Sequence, residues 1–316
     1  MPSTSLSSAA SADLATCREI LSRGSKSFAL ASRLLPARLR DSAAALYAFC
    51  RVADDAVDED AANADSALAD LRRRLAGIER DRPDEHPVDR ALARVVAATS
   101  LPVAPLEALL EGFEWDVKGR HYHSMEDVFA YGARVAGTIG VLMTVLMGRR
   151  EPHVLARACD LGVAMQLTNI ARDVGEDARN GRLYLPRTEL LALGVEPEAW
   201  LREPRFTPEI EQLVRRLMSE AELLYTRSDS GVPLLPADCR LPIRSARLVY
   251  SDIHRSIIAN QYDTVSQRAY TSKPRKLYLI AKAFVRGLLQ ARSPELEQAP
   301  PLEAVRFLCQ GTPNES

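Results

Sequence analysis

Two stretches of the chain concentrate groups able to bind metal ions and diphosphate. In Gln166-Leu167-Thr168-Asn169-Ile170-Ala171-Arg172-Asp173-Val174-Gly175-Glu176-Asp177, the residues Gln166, Asn169, Asp173 and Asp177 fall at offsets 0, 3, 7 and 11, on one face of a helix. In Tyr47-Ala48-Phe49-Cys50-Arg51-Val52-Ala53-Asp54-Asp55-Ala56-Val57-Asp58, the residues Tyr47, Arg51, Asp54 and Asp58 fall at offsets 0, 4, 7 and 11 and share a face likewise. Both polar stripes are narrow and flanked by apolar residues, the reverse of a surface helix, so each is expected to be buried and to line a polar cavity. Crowded carboxylates repel, and desolvating them costs several kcal/mol per ion unless they are paired or bind metal. A hard cation relieves both costs, and Mg²⁺ typically uses one or two carboxylates with water and substrate phosphate. Two such faces opposite each other would hold several Mg²⁺ around a diphosphate. Each stretch alone also fits a solvated helix end, since Asp54, Asp55 and Asp58 run into Glu59 and Asp60; the matched pair carries the inference. Glu176 lies about 100° round the helix from Asp177 and is expected to take no part in metal binding.

Weaker signals accompany the pair. Gly24-Ser25-Lys26-Ser27-Phe28 is either a helix cap or a phosphate cradle at a helix N-terminus. His121 and His123 have no third ligand nearby, so a solvated loop is expected rather than zinc. The run Val135-Ala136-Gly137-Thr138-Ile139-Gly140 places glycines inside a helix, at about 1 kcal/mol each relative to alanine. Such glycines mark either close helix packing or room for an elongated apolar ligand. Ser272-Lys273-Pro274-Arg275-Lys276 is expected as a basic turn, solvated or steering an anion.

The elements that must position these groups are helices. The chain has 316 residues, only 15 glycines, 6% aromatics, and is dominated by Ala, Leu and Arg, which favours an all-α protein. Balanced charge, 41 basic against 42 acidic residues, gives no field for nucleic acid. Five dispersed cysteines, Cys17, Cys50, Cys159, Cys239 and Cys309, fit reduced core thiols. The apolar stretch 135–148 is too short to span a bilayer, and the Ser/Ala-rich start lacks the pattern of a signal peptide. Periodicity predicts helices over 15–23, 41–58, 65–80, 88–99, 102–118, 125–147, 153–177, 208–228, 242–270 and 277–291, with short helices and turns between 188 and 207. Without repeats or long linkers, one domain over 15–291 is expected, between a disordered tail at 1–14 and a C-terminal tail at 292–316.

The chain resembles the squalene/phytoene synthase family, and within it the bacterial phytoene synthases. The resemblance runs from about Cys17 to Lys276. It rests on Gly-Ser-Lys-Ser-Phe at 24–28, Leu-Tyr-Ala-Phe-Cys-Arg-Val-Ala-Asp-Asp-Ala-Val-Asp at 46–58, Arg-Val-Ala-Gly-Thr-Ile-Gly at 134–140, Leu-Gly-Val-Ala-Met-Gln-Leu-Thr-Asn-Ile-Ala-Arg-Asp-Val-Gly-Glu-Asp at 161–177 and Arg-Leu-Tyr-Leu-Pro at 182–186. It implies the all-α isoprenoid synthase fold, a helical bundle around a central hydrophobic cavity with metal-bound diphosphates at its mouth. By the same resemblance, Asp54 and Asp58 form one metal motif and Asn169, Asp173 and Asp177 the other. Ser25, Lys26, Ser27, Arg51, Arg172 and Arg268 belong to the diphosphate site, and Tyr47, Gln166, Tyr184 and Tyr250 lie near the reacting carbons. Family members often have two tyrosines before Val-Ala-Gly; here Tyr131 takes the first place and Ala133 the second.

The implied activity is prenyl transfer: head-to-head condensation of two geranylgeranyl diphosphates through prephytoene diphosphate to phytoene, within carotenoid biosynthesis. Mg²⁺, or Mn²⁺ in its place, is the expected cofactor, and NADPH is not expected, there being no Gly-x-Gly-x-x-Gly fingerprint. The alternatives are a C15-using enzyme of the same family making squalene, dehydrosqualene or presqualene diphosphate; a chain-elongating prenyltransferase, suggested by Asp54-Asp55-x-x-Asp58 but opposed by Arg172 before Asp173; and a non-enzymatic helical interaction protein. A cytoplasmic location with peripheral contact to the inner face of the membrane is expected, with no nucleic acid and no obligate protein partner.

Overall fold

Pro36 interrupts the chain before Ala37, and from there the Ala- and Leu-rich sequence winds almost wholly into helices. The computed structural model describes residues 8–24, 33–58, 64–289 and 293–310, and no strand occurs among them. The first helices are α1 (Ser8–Gly24), α2 (Ala37–Asp58), α3 (Ala64–Glu79), α4 (Pro87–Thr99) and α5 (Ala104–Val117). They are followed by α6 (Met125–Leu146), α7 (Pro152–Arg179), α8 (Arg187–Ala192), α9 (Pro197–Arg202), α10 (Pro208–Asp229), α11 (Ala237–Ser251), α12 (Ile253–Ala259) and α13 (Lys273–Leu289). Prolines at the first turns of α4, α5, α7, α9 and α10 occupy positions where a missing N–H costs nothing. Ser124 and Asp127 close a capping box at the start of α6.

The core gathers around α6 and α7. α7 packs extensively on both α6 and α10, and α6 also lies against α2. α6 is long and apolar enough to cross a membrane, whereas the stretch 135–148 alone was expected to be too short; 56% of its apolar window is buried inside the protein, as befits a core helix. Within α6, Ala133–Gly137 form a π turn, an irregularity common at functional sites. Glycines bring α6 and α7 into backbone contact: a Cβ on Gly140 would collide with the carbonyl of Ala158, and one on Gly162 with that of Ala136.

The structure departs from the expected boundaries in four places. The first is the N-terminal tail expected over 1–14: α1 already begins at Ser8, and Asp13, 2% exposed, accepts hydrogen bonds from Arg90 and Arg94 of α4. Second, the C-terminal residues 294–309 pack on the domain rather than trailing from it. Arg157 of α7 donates to the carbonyls of Leu296 and Ala299, and Val305 and Leu308 are buried. Third, the helix expected over 242–270 ends at Ala259, because Gln261 and Tyr262 take left-handed φ values of 54° and 63°. The Tyr262 ring holds that turn by stacking under Arg215 at 3.5 Å. Fourth, the basic turn expected at 272–276 is the opening of α13, where Pro274 suits the first turn. The cysteines are unpaired, four of them buried and Cys50 half-buried.

Candidate active site

Between α6, α7 and α11 lies an apolar cavity of about 330 Å³. Its walls include Val135, Ile139, Met143, Ala158, Met165 and Val249, with Gly140 of α6 and Gly162 of α7 among them, so these two glycines serve both close packing and the cavity. Gln166, Asn169 and Tyr250 line the same cavity and supply polar groups to it. Asn169 donates to Gln166 at 3.3 Å, one turn apart on α7. Burial raises the pKa of the Tyr250 phenol and the nearby Arg172 charge draws it back; Tyr250 in turn acts on Tyr47, whose phenol burial also raises. Tyr47, Tyr250 and Arg172 therefore share one neighbourhood, built from α2, α11 and α7. Gly24 packs against the Tyr47 ring, where an added Cβ would lie 2.5 Å from the phenol oxygen. Ser25, Lys26 and Ser27, the expected cradle, lie outside the described residues.

Asp54 and Asp55 of α2 and Asp173 of α7 are paired with arginines. On α2, Arg51 Nε donates to Asp55 at 3.0 Å and its Nη1 to Asp54 at 3.3 Å. On α7, Arg172 Nε donates to Asp173 at 2.8 Å, and Arg268, from the loop after α12, donates to the same oxygen at 2.9 Å. Arg268 also reaches Glu176 at 3.0 Å. Glu176 was expected to play no part in holding metal, and the structure gives it a place beside that site through this arginine. The side chain of Asp58 lies outside the described residues.

Asp177 sits deeper. Burial first, and then the charges of Asp173, Glu176 and Asp116 against the opposing pull of Arg182, push its pKa up to about 7. Among the described residues, no three His, Cys, Asp or Glu side chains converge as a metal cluster. The reason is visible for Asp54, Asp55 and Asp173, whose oxygens are turned onto Arg51, Arg172 and Arg268. The donor set nevertheless suits a hard divalent cation: carboxylate and amide oxygens, with one carboxylate, Asp177, whose charge is disfavoured first by burial and then by its acidic neighbours.

Tyr184, expected near the reacting carbons, and Tyr131, expected as a substrate-binding residue in the first of the family's two tyrosine places, stack with centroids 4.9 Å apart. Their hydroxyls donate to opposite oxygens of Asp116, at 2.7 and 2.8 Å. Burial and then the Asp116 charge raise both phenols well above their usual range, so both stay protonated donors. Tyr122 completes the ring cluster at 5.3 and 5.5 Å. Neither Tyr131 nor Tyr184 lines the apolar cavity; Tyr184 and Asp116 instead border a polar pocket of about 440 Å³ with Arg120, Arg182 and Arg187. Asp116 is the functional candidate that sequence reasoning passed over. Nothing in the pattern set it apart from Glu107, Glu111 and Glu114 on the same helix, beyond its place between Trp115 and Val117 near the end of α5. His121 and His123 lie exposed on the loop beyond, as expected.

A further feature governs Arg268. Gly175 packs flush against the backbone of Val265, and its N–H donates to the Thr264 carbonyl at 3.1 Å. Only a residue without a side chain lets the 260–272 loop lie on α7 and bring Arg268 over Asp173.

The squalene/phytoene synthase family profile matches residues 21–275. The chain is 52% identical to a phytoene synthase of Rhodobacter capsulatus over 87% of this chain and 81% of that protein. It is 40% identical to a 15-cis-phytoene synthase of a Paracoccus species, over 84% and 88% respectively. A solved dehydrosqualene synthase in complex with ligand superposes with a TM-score of 0.81 at 33% identity, covering 89% of this chain and 98% of that one. The squalene synthase HpnC of Alicyclobacillus acidocaldarius superposes at 0.75 with 25% identity, covering 80% and 95%. Carboxylate and arginine clusters beside an apolar cavity, on a fold shared with these enzymes and matched over most of its length, make this chain a member of the squalene/phytoene synthase family, a divalent-metal-dependent prenyltransferase of isoprenoid biosynthesis.

Proposed function

We propose that the protein condenses two geranylgeranyl diphosphates head to head to phytoene, through prephytoene diphosphate, within carotenoid biosynthesis. The observation that carries this reading is the apolar cavity whose polar groups, Gln166, Asn169 and Tyr250, stand beside the carboxylate-arginine clusters of α2 and α7. The identity to enzymes named phytoene synthase supports the C20 substrate.

Asp54, Asp58, Asn169, Asp173 and Asp177 would hold Mg²⁺, or Mn²⁺, which when bound stabilises the charge of the leaving diphosphate. Arg51, Arg172 and Arg268 are placed to bind the same diphosphate through charge-assisted hydrogen bonds once released from their carboxylates. The allylic C–O bond breaks with its electron pair leaving on diphosphate, and the remaining cation is attacked by the double bond of the second substrate. Loss of a proton closes the cyclopropane. The second diphosphate then departs, the cyclopropylcarbinyl cation rearranges, and a further proton loss gives phytoene with no reductant consumed. The walls formed by Ile139, Met143 and Met165 exclude water from the cations, and Tyr250, on the same wall, carries an aromatic ring of the kind that stabilises them.

Incubating purified protein with Mg²⁺ and either the C20 or the C15 diphosphate, without NADPH, tests the reading. Phytoene from the C20 substrate is expected; products from the C15 substrate alone, or head-to-tail products, would overturn it.

A further inference from the structure

Helix α13 turns its apolar residues outward. It packs chiefly on α11, where Leu279 and Ala283 bury against Leu248 in a small cluster separate from the main core. On its outer side Leu277, Tyr278, Phe284 and Val285 are between 54% and 63% exposed. At about 100° per residue these four, with Ala281 between them, form a stripe roughly 120° wide, nearly opposite the buried pair. An ordinary surface helix shows water its polar face, whereas this one, besides its buried side, leaves an apolar stripe facing water. The helix also carries Lys273, Arg275, Lys276, Lys282 and Arg286 and no acidic residue. None of them interrupts the stripe: Lys273 and Lys282 flank its two edges, while Arg275 is held by Asp252 at 2.7 Å and Lys276 faces the cavity. Lysines at both edges of an apolar stripe are the arrangement of a helix lying in a bilayer interface with its basic side chains reaching the headgroups.

We infer that α13 docks the protein on an anionic lipid surface. The charge decides among occupants: a second copy seated on this stripe would bring Lys273 and Lys282 against like-charged lysines, while anionic headgroups complement them. The same helix contributes Lys276 and Ile280 to the apolar cavity, so the docked helix stands between the bilayer and the space proposed for the prenyl chains. This deepens the prenyl-substrate reading and rests on it for the purpose of docking, though not for its existence.

The test is co-sedimentation of the full chain with phosphatidylcholine vesicles, with and without phosphatidylglycerol. Alongside it, turnover of detergent-dispersed C20 diphosphate is measured. Wild type is expected to bind the anionic vesicles, and Leu277→Ser/Phe284→Ser and Lys273→Glu/Lys282→Glu each to bind at least about tenfold more weakly with unchanged turnover in detergent. Leu223→Ser, which removes an exposed leucine from α10, should bind as wild type does. Vesicle binding by the α13 variants equal to wild type, no binding by wild type, or a wild-type dimer that Leu277→Ser/Phe284→Ser splits would each overturn the inference. Absent turnover with intact vesicle binding would instead sink the catalytic reading alone.

Discussion

Arg268 Nε lies 2.9 Å from Asp173 Oδ1, joining residues 95 positions apart in the chain. Arg172 donates to the same oxygen, and both arginines also reach Oδ2, so a cation must displace at least one of them to reach Asp173. Arg268, with 57% of its side chain exposed, is the cheaper to move, since pairs of this exposure are worth about 0–1 kcal/mol. The arginine therefore competes with metal when no diphosphate is bound and serves the diphosphate when it is. Arg268→Ala should tighten Mn²⁺ binding to the substrate-free protein by up to about fivefold and raise KM for the C20 diphosphate by about tenfold. Spectroscopic Mn²⁺ titration and steady-state kinetics measure the two; movement of both in the same unfavourable direction would contradict the competition.

Gly175 makes that contact available. Gly175→Ala places a methyl against the backbone of Val265, so the 260–272 loop must lift from α7. A rise in KM like that of Arg268→Ala is expected, although the arginine is still present, together with a stability loss of about 1–3 kcal/mol. Because both changes act through one contact, the double variant should show a KM no higher than the worse single one. Fully additive effects on KM would show that the glycine acts by another route.

The buried imidazole of His254 sets a pH dependence of stability away from the candidate site. Its Nε2 lies 3.0 Å from Thr168 Oγ1, which also meets the Tyr225 hydroxyl. Burial pushes its pKa down to about 4, with Arg247 adding to the depression and Glu222 opposing it. The unfolded state, with a histidine near its ordinary 6.5, binds the proton first as pH falls. Stability is thus complete above about pH 6.5 and declines toward pH 4, by on the order of 3 kcal/mol for this group. His254→Gln, which keeps a hydrogen bond but cannot titrate, should flatten urea-unfolding stability across that window; an unchanged slope would assign it to other groups.

The polar stripes of α2 and α7 were legible because helical period alone aligns Tyr47, Arg51, Asp54 and Asp58, and likewise Gln166, Asn169, Asp173 and Asp177. What period cannot show is contact between distant segments. Asp116 becomes a site residue only when α6 and the segment after α7 bring Tyr131 and Tyr184 to its two oxygens. The break after Ala259 escaped detection because Gln261 and Tyr262 are unremarkable turn formers, held left-handed by the stacking of Arg215 on Tyr262. The tail expected at the N-terminus was misplaced because one buried acid, Asp13, anchors it through two arginines of α4.

Cavity length offers a direct test of the C20 reading. Gln166 and Asn169 mark the polar groups on α7, and Ala158 lines the same cavity eleven residues before Asn169, about 16 Å along the helix. A prenyl chain extending from the diphosphate site must pass or reach that level, and the last isoprene unit of a C20 chain lies deeper than any part of a C15 chain. Ala158→Phe adds a ring to this wall while leaving every metal and arginine group untouched. It should lower kcat/KM for the C20 diphosphate at least tenfold and spare, or relatively favour, the C15 diphosphate, a loss of about 1.4 kcal/mol or more in differential binding. Competition of the two substrates with product identification measures the ratio. Equal losses for both chain lengths would mean that the prenyl tails do not run along α7 past Ala158, and would send the search for their path to another wall of the cavity.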